Sequence, residues 1–152
     1  MGLEKSFFKG KFFIDTAPLI YFIEGNEKYQ KILDRFFKSN QQGLNILYSS
    51  VLTLTEILGH PMKLHREDLV QKYELILTQS QYFELIPLDV EIAKLASKLR
   101  VKYGLKTPDA IQLATSIQVG CDFFLTNDLG LRKVKEAKVI LMDNLHELES
   151  NK

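Results

Sequence analysis

The chain has 152 residues, 45% of them hydrophobic and 26% charged, with a net charge of +1. That length and balance predict a single globular domain over residues 1–152 and leave no global basic field, so any nucleic-acid site must rest on local basic patches. The one cysteine, Cys121, excludes an intramolecular disulfide and a four-thiolate metal site, and fits a reducing compartment. No apolar run approaches the ~20 residues needed to span a bilayer. The opening residues lack the apolar core and cleavage site of a signal peptide, so a cytoplasmic location and no membrane partner are expected.

Taken in chain order, residues 11–15 read as a first strand. Pro18 opens a helix over Leu19–Glu24 that stops at Gly25-Asn26. Glu27–Ser39 is a second helix, with Ile32, Leu33, Phe36 and Phe37 at helical spacing. Asn45–Tyr48 is a short strand, after which Ser50 caps a helix to His60 that Pro61 ends. Arg66–Gln79 is a helix with Leu69, Tyr73, Ile76 and Leu77 on one stripe, and Phe83–Pro87 is a strand. Asp89 caps a helix to Tyr103, burying Ile92, Leu95, Ala96 and Leu99, and Gly104 terminates it. Thr107-Pro108 opens the next helix, with Ala110, Leu113, Ala114 and Ile117 inward and Gly120 at its end. Asp122–Thr126 is a strand, Leu129–Val134 a short helix and Lys138–Met142 a last strand, with Asp143 as the cap of a final turn through Leu148.

Short, almost wholly apolar strands alternating with helices predict an α/β fold, a three-layer α/β/α sandwich around a mostly parallel central sheet. Ligands of such sheets sit beyond the carboxyl ends of the strands, where strand order reverses. Asp15 and Asp128 end strands, and Asp109 starts a helix on the same rim. Glu56 joins them only if its helix leans over that rim. Each has a plain alternative: Asp15 and Asp128 as helix caps, Asp109 as a favourable first-turn charge, Glu56 as a solvated helix residue. The joint pattern is what distinguishes them, because Glu67, Asp68, Glu74, Glu91, Glu136 and Glu149 read as solvated acids on polar faces. Repelling carboxylates that converge imply a hard divalent cation.

The segments Phe13-Ile-Asp15-Thr16, Thr53-Leu-Thr-Glu56-Ile-Leu, Leu105-Lys-Thr-Pro-Asp109-Ala-Ile-Gln-Leu-Ala114 and Phe124-Leu-Thr-Asn-Asp128 resemble, in order, the motifs of PIN-domain nucleases. They are most similar to the short VapC-like ribonucleases, the toxins of type II toxin–antitoxin pairs. The resemblance spans about residues 11–142, with the stretch around Asp109 its most specific part. It implies Mg²⁺ or Mn²⁺ held by Asp15, Asp109 and Asp128, with Glu56 ligating or orienting the attacking water. Thr16 and Thr126 would support the carboxylates from behind, Asn127 either does the same or is plain turn chemistry, and RNA would be the substrate. It further implies a cognate protein antitoxin and a homodimer. Arg100, Lys102 and Lys106 before Asp109, and Arg132, Lys133 and Lys135 after Asp128, are candidate phosphate contacts that read equally as solvated helix residues. Tyr103 reads as packing rather than a base-stacking platform.

Other candidates fade. Glu56 and His60 stand four apart but lack the third zinc ligand. Cys121 reads as strand packing. Phe22, Phe36 and Phe37 read as core, or as a groove for a partner helix where exposed. Two alternatives stay open: a non-catalytic receiver-like domain with a Mg-binding rim, and a PIN nuclease of RNA processing rather than toxicity. A receiver would want two adjacent acids after the first strand, and Ile14-Asp15-Thr16 supplies one.

Overall fold

The computed structural model describes residues 6–151. In chain order its first half comprises β1 (Ser6–Phe7), β2 (Gly10–Ile14), α1 (Thr16–Glu24), α2 (Gln30–Gln41), β3 (Asn45–Ser50), α3 (Val51–Lys63) and α4 (Glu67–Gln79). The second half comprises β4 (Phe83–Ile86), α5 (Val90–Tyr103), α6 (Thr107–Val119), β5 (Phe123–Thr126), a 3-10 helix Leu129–Lys133, β6 (Val139–Leu141), a 3-10 helix Met142–Leu148 and β7 (Ser150–Asn151).

Five strands form one sheet in the order β4-β3-β2-β5-β6, and every neighbouring pair is parallel. Period-two alternation along β2 sends Phe12 and Ile14 to one face and Phe13 to the other. The first face packs on α1 to α4 through an aromatic cluster in which Phe36 meets Phe8 and Phe12 edge-on at 5.2 and 4.9 Å. Such pairs add about 0.5–1.5 kcal/mol to their burial. The second face packs on α5 and α6, where Ala96, Ala110 and Ala114 let the helices approach the sheet and Phe13 stacks on Phe124 at 5.1 Å. The result is the three-layer α/β/α sandwich that the strand–helix alternation predicts. Among the described residues no helix is long and apolar enough to cross a membrane.

Several boundaries differ from those predicted, each for a local reason. The second helix starts at Gln30, not Glu27, because Asn26 Oδ1 accepts from the backbone N–H of Lys28 and Tyr29, both at 3.0 Å, and holds that stretch as a turn. Pro61 lies inside α3 rather than ending it. It falls in the last turn, where a missing N–H forfeits one hydrogen bond and the helix still runs to Lys63. Asp143 caps nothing: it accepts from Tyr29 Oη at 2.8 Å and pairs with Lys28 at 3.1 Å. Glu149 is not solvated but pairs with Arg35 at 2.6 Å. The antiparallel β1–β7 pair was not anticipated, since two residues a side leave no periodic signal.

Counted along the chain the sheet order is 3-2-1-4-5. A receiver domain has the order 2-1-3-4-5, so the receiver-like alternative does not survive the topology. The order also reverses between β2 and β5, which are neighbours in register from Phe12–Phe123 to Ile14–Leu125. A crevice beyond the carboxyl ends of these two strands is where this architecture places a ligand.

Candidate functional site

Asp15 follows β2 directly, and its backbone N–H donates to the Leu125 carbonyl at 2.9 Å, which seats it in the switch-point crevice. It also caps α1: Oδ1 accepts from the Thr16 N–H at 2.8 Å. Its other oxygen, Oδ2, accepts from Thr126 Oγ1 at 2.7 Å. Thr126, fully buried at the end of β5, in turn accepts from the Asp128 N–H at 3.0 Å. One hydroxyl thereby ties the first acid to the turn carrying the last. Asp128 Oδ1 accepts from the Gly130 N–H at 2.9 Å and caps the following 3-10 helix.

Asp109 lies in the first turn of α6, which Pro108 opens and Gly120 ends in a left-handed conformation. Glu56 sits on α3, and that helix does lean over the rim. Thr16 Oγ1 donates to Glu56 Oε1 at 3.3 Å across 40 residues of sequence. Ser50 caps α3 through the Leu52 N–H at 3.1 Å, and β3 runs straight into the helix, so the strand end sets where Glu56 stands.

The electrostatics show the acids acting on one another. Burial raises the Asp15 carboxyl above its ordinary value. The hydrogen bonds from Thr126 and Thr16 oppose that shift, and the charges of Glu56 and Asp128 add to it. Burial likewise raises Asp109, reinforced by Asp15 and Asp128 and opposed by Lys106. Carboxylates held in mutual repulsion at a partly desolvated rim store unfavourable energy that a cation relieves. The donor set is all oxygen, which suits a hard divalent ion. Among the described residues no group of three or more carboxylate, imidazole or thiol side chains is placed to hold a metal ion.

The other predicted residues divide. Thr16 and Thr126 each hold a carboxylate of the cluster. Asn127 does not touch the acids and donates to Tyr21 Oη at 3.0 Å. Lys106 is close enough to Asp109 to act on its charge, and Arg132 and Lys133 are exposed on the 3-10 helix that Asp128 caps. Arg100 is exposed near the end of α5. Lys102 is engaged with Glu136 at 3.1 Å. Tyr103 is packed, as expected: its hydroxyl binds Glu136 and accepts from the Lys135 N–H at 3.1 Å. Cys121 is half-buried, its thiol pushed up to about 11 by burial. Phe36 and Phe37 are core, and half-buried Phe22 stacks on Phe37 at 3.8 Å.

Sequence reasoning missed Gln112. It is 2% exposed on α6 and donates through Nε2 to Thr53 Oγ1 at 3.0 Å and to Glu56 Oε1 at 3.2 Å. Its position three residues after Asp109, on the same face of the helix, was the available signal.

Known proteins resemble this chain in sequence and fold. A family model described as "PIN domain" matches residues 12–137. An uncharacterized protein of Archaeoglobus fulgidus is 47% identical over 45 residues, 30% of this chain and 70% of that protein. Among solved structures, VapBC2 of Rickettsia felis bound to a promoter DNA fragment matches with a TM-score of 0.71 at 14% identity, covering 86% of this chain and 98% of that one. DNA-bound VapBC of Salmonella typhimurium matches with a TM-score of 0.68 at 19% identity over 87% and 98% of the two chains. A toxin–antitoxin complex of Klebsiella pneumoniae matches at 0.65 and 24% identity over 86% and 96%. At these identities the structural likenesses establish the fold.

Proposed function

The chain belongs to the PIN-domain family, and on that premise we propose that it is a Mg²⁺- or Mn²⁺-dependent endoribonuclease, the toxin of a type II toxin–antitoxin pair. The observation that carries the proposal is the meeting of Asp15, Glu56, Asp109 and Asp128, from four separate elements, at the switch point of the sheet. The charges of the neighbouring acids oppose ionisation of Asp15 and Asp109.

In this reading Asp15 and Asp109 hold the ion and Asp128 completes the cluster. When bound, the ion offsets charge building on the phosphate and eases deprotonation of the attacking water. Thr126 holds Asp15 through Oδ2 and Thr16 holds it through Oδ1, so the carboxylate cannot rotate away. Thr16 and Gln112 both occupy Oε1 of Glu56, which leaves Oε2 to orient the water and take its proton. Lys106, Arg132 and Lys133 would carry the RNA backbone, and Arg100 extends that surface. Lys102, paired with Glu136, would contribute least.

A homodimer and a protein antitoxin belong to the same proposal, in a single-domain cytoplasmic protein. Val90 and Val101, 72% and 90% exposed on α5, offer apolar surface that a second copy would cover. The test is cleavage of a loop-containing RNA with and without EDTA, comparing wild type with Asp15→Asn and Asp109→Asn. The expected result is loss of cleavage in all three interventions; full cleavage by either variant would overturn the assignment. Expression without an antitoxin should arrest growth, and harmless expression of folded protein would remove the toxin role while leaving nuclease activity in place.

A further inference from the structure

Glu56 is an acid on a helix face, and a free Glu side chain would sample several rotamers. Besides Thr16, what holds it is a hydrogen-bonded chain that runs through the interior and ends at the residue before Asp15. Ser49 Oγ donates to the Ile14 carbonyl at 3.0 Å. Ser49 Oγ and Thr53 Oγ1 lie 2.8 Å apart. Gln112 Nε2 donates to Thr53 Oγ1 and to Glu56 Oε1. Ser49, Thr53 and Gln112 are all at most 2% exposed.

The chain has only one consistent direction. A hydroxyl carries one proton. That of Ser49 is spent on the Ile14 carbonyl, so Thr53 must donate to Ser49. Thr53 can then only accept from Gln112, which fixes the amide with its NH₂ group toward Thr53 and Glu56. The flipped amide would set its oxygen against a carboxylate and against a hydroxyl with no proton left to give. The correct orientation leaves Gln112 Oε1 buried with no partner. A buried amide with an unmet carbonyl is a liability that an apolar side chain of the same size would not carry. Its presence between two motif acids, on α6 one turn after Asp109, therefore asks for a reason other than stability.

We propose that Gln112 is a positioning residue for Glu56. Its amide, aligned by Thr53, Ser49 and the Ile14 carbonyl, pins Oε1 of Glu56 and turns Oε2 toward the rim. Glu56, Asp109 and Asp15 are thereby held at a fixed mutual spacing by one buried relay across α3, α6, β3 and β2. The role in cleavage rests on the nuclease proposal; the pinning of Glu56 does not.

Two measurements separate those parts. In metal-free protein, the Gln112 side-chain amide resonances in ¹H–¹⁵N spectra should move when Glu56→Ala removes the carboxylate and stay put in Asp128→Asn. Resonances indifferent to Glu56→Ala would overturn the pinning, whatever the enzyme does. For cleavage, Gln112→Met should lower the single-turnover rate by about tenfold or more, the scale of losing a group that orients a residue of a metal site. RNA affinity and melting temperature should be held or improved. In a Glu56→Gln background the same change should cost nothing further. An equal loss in both backgrounds would mean that Gln112 acts through general packing, and would overturn the positioning role. Asp15→Asn, run alongside, tests the nuclease proposal by itself: wild-type cleavage by that variant would sink the proposal, and the spectra would still decide the pinning.

Discussion

The two ends of the same pair of strands treat an aspartate in opposite ways. At the amino end of β2 and β5, Asp122 Oδ2 accepts from the Lys11 N–H at 2.8 Å, and the Asp122 N–H donates to the Lys11 carbonyl at 2.8 Å. Gly10, at φ 118°, brings the backbone so close that an added Cβ would lie 3.0 Å from that carboxylate. Asp122 thus staples two strands. At the carboxyl end, Asp15 is set among Glu56, Asp109 and Asp128, and burial and their charges make its ionised form costly. Both acids are hydrogen-bonded; what sets Asp15 apart is that the charges of Glu56 and Asp128 act against its ionised form.

The largest effect expected from breaking this contrast is on cleavage. Asp15→Asn and Asp109→Asn should each lower the rate by at least about a hundredfold, the scale of removing one preorganised electrostatic group. Asp15→Asn should at the same time raise the melting temperature of metal-free protein at neutral pH, because it removes a repelled, desolvated charge. A lower melting temperature would show that the hydrogen bonds from Thr16 and Thr126 outweigh the repulsion. Next comes Thr126→Val, which frees Asp15 Oδ2 and the Asp128 N–H together and should cost about 10–100-fold in rate. A rate within a factor of two of wild type would mean the hydroxyl is incidental.

Gly10→Ala at the other end should leave the rate below melting unchanged. It should cost about 1–2 kcal/mol through the forced left-handed residue, which for a domain of this size lowers the melting temperature by roughly 2–8 °C. A change in rate without a change in stability would erase the division between the two ends.

The smallest effect is the pH dependence. Asp15 and Asp109 have folded-state values raised above those of the unfolded chain. Their contribution to stability is full below the unfolded value, about 3.9, and is lost as pH rises through the folded values. The melting temperature of Asp15→Asn minus that of wild type should therefore be near zero at the acid end and grow as pH rises toward 7. Saturating Mg²⁺ should shrink the difference by stabilising wild type alone. A difference that is flat with pH would remove the electrostatic premise.

Much of this was legible along the chain, and the exceptions share a cause. The caps Ser50 and Asp89 and the stops Gly104 and Gly120 act where local chemistry puts them. The alternation of short apolar strands with helices was enough for a parallel three-layer sandwich. Asp15, Asp109 and Asp128 could be set on one rim because each sits at the end of an element whose direction is known. Glu56 could not, since a helix position says nothing about where the helix leans. Asp143 has the local pattern of a cap, but its partner Tyr29 lies 114 residues away. Gln112 carries little local signal because its partners Thr53 and Glu56 are 59 and 56 residues distant.

The amino-acid order by itself thus determined the elements, their parallel stacking and the residue types offered to the rim, because capping, periodicity and turn chemistry act within a few residues. Only the tertiary structure decided the strand order, the lean of α3 over the switch point and the buried relay from Ile14 to Glu56. Those depend on which faces pack together, and packing is settled between segments far apart in the chain.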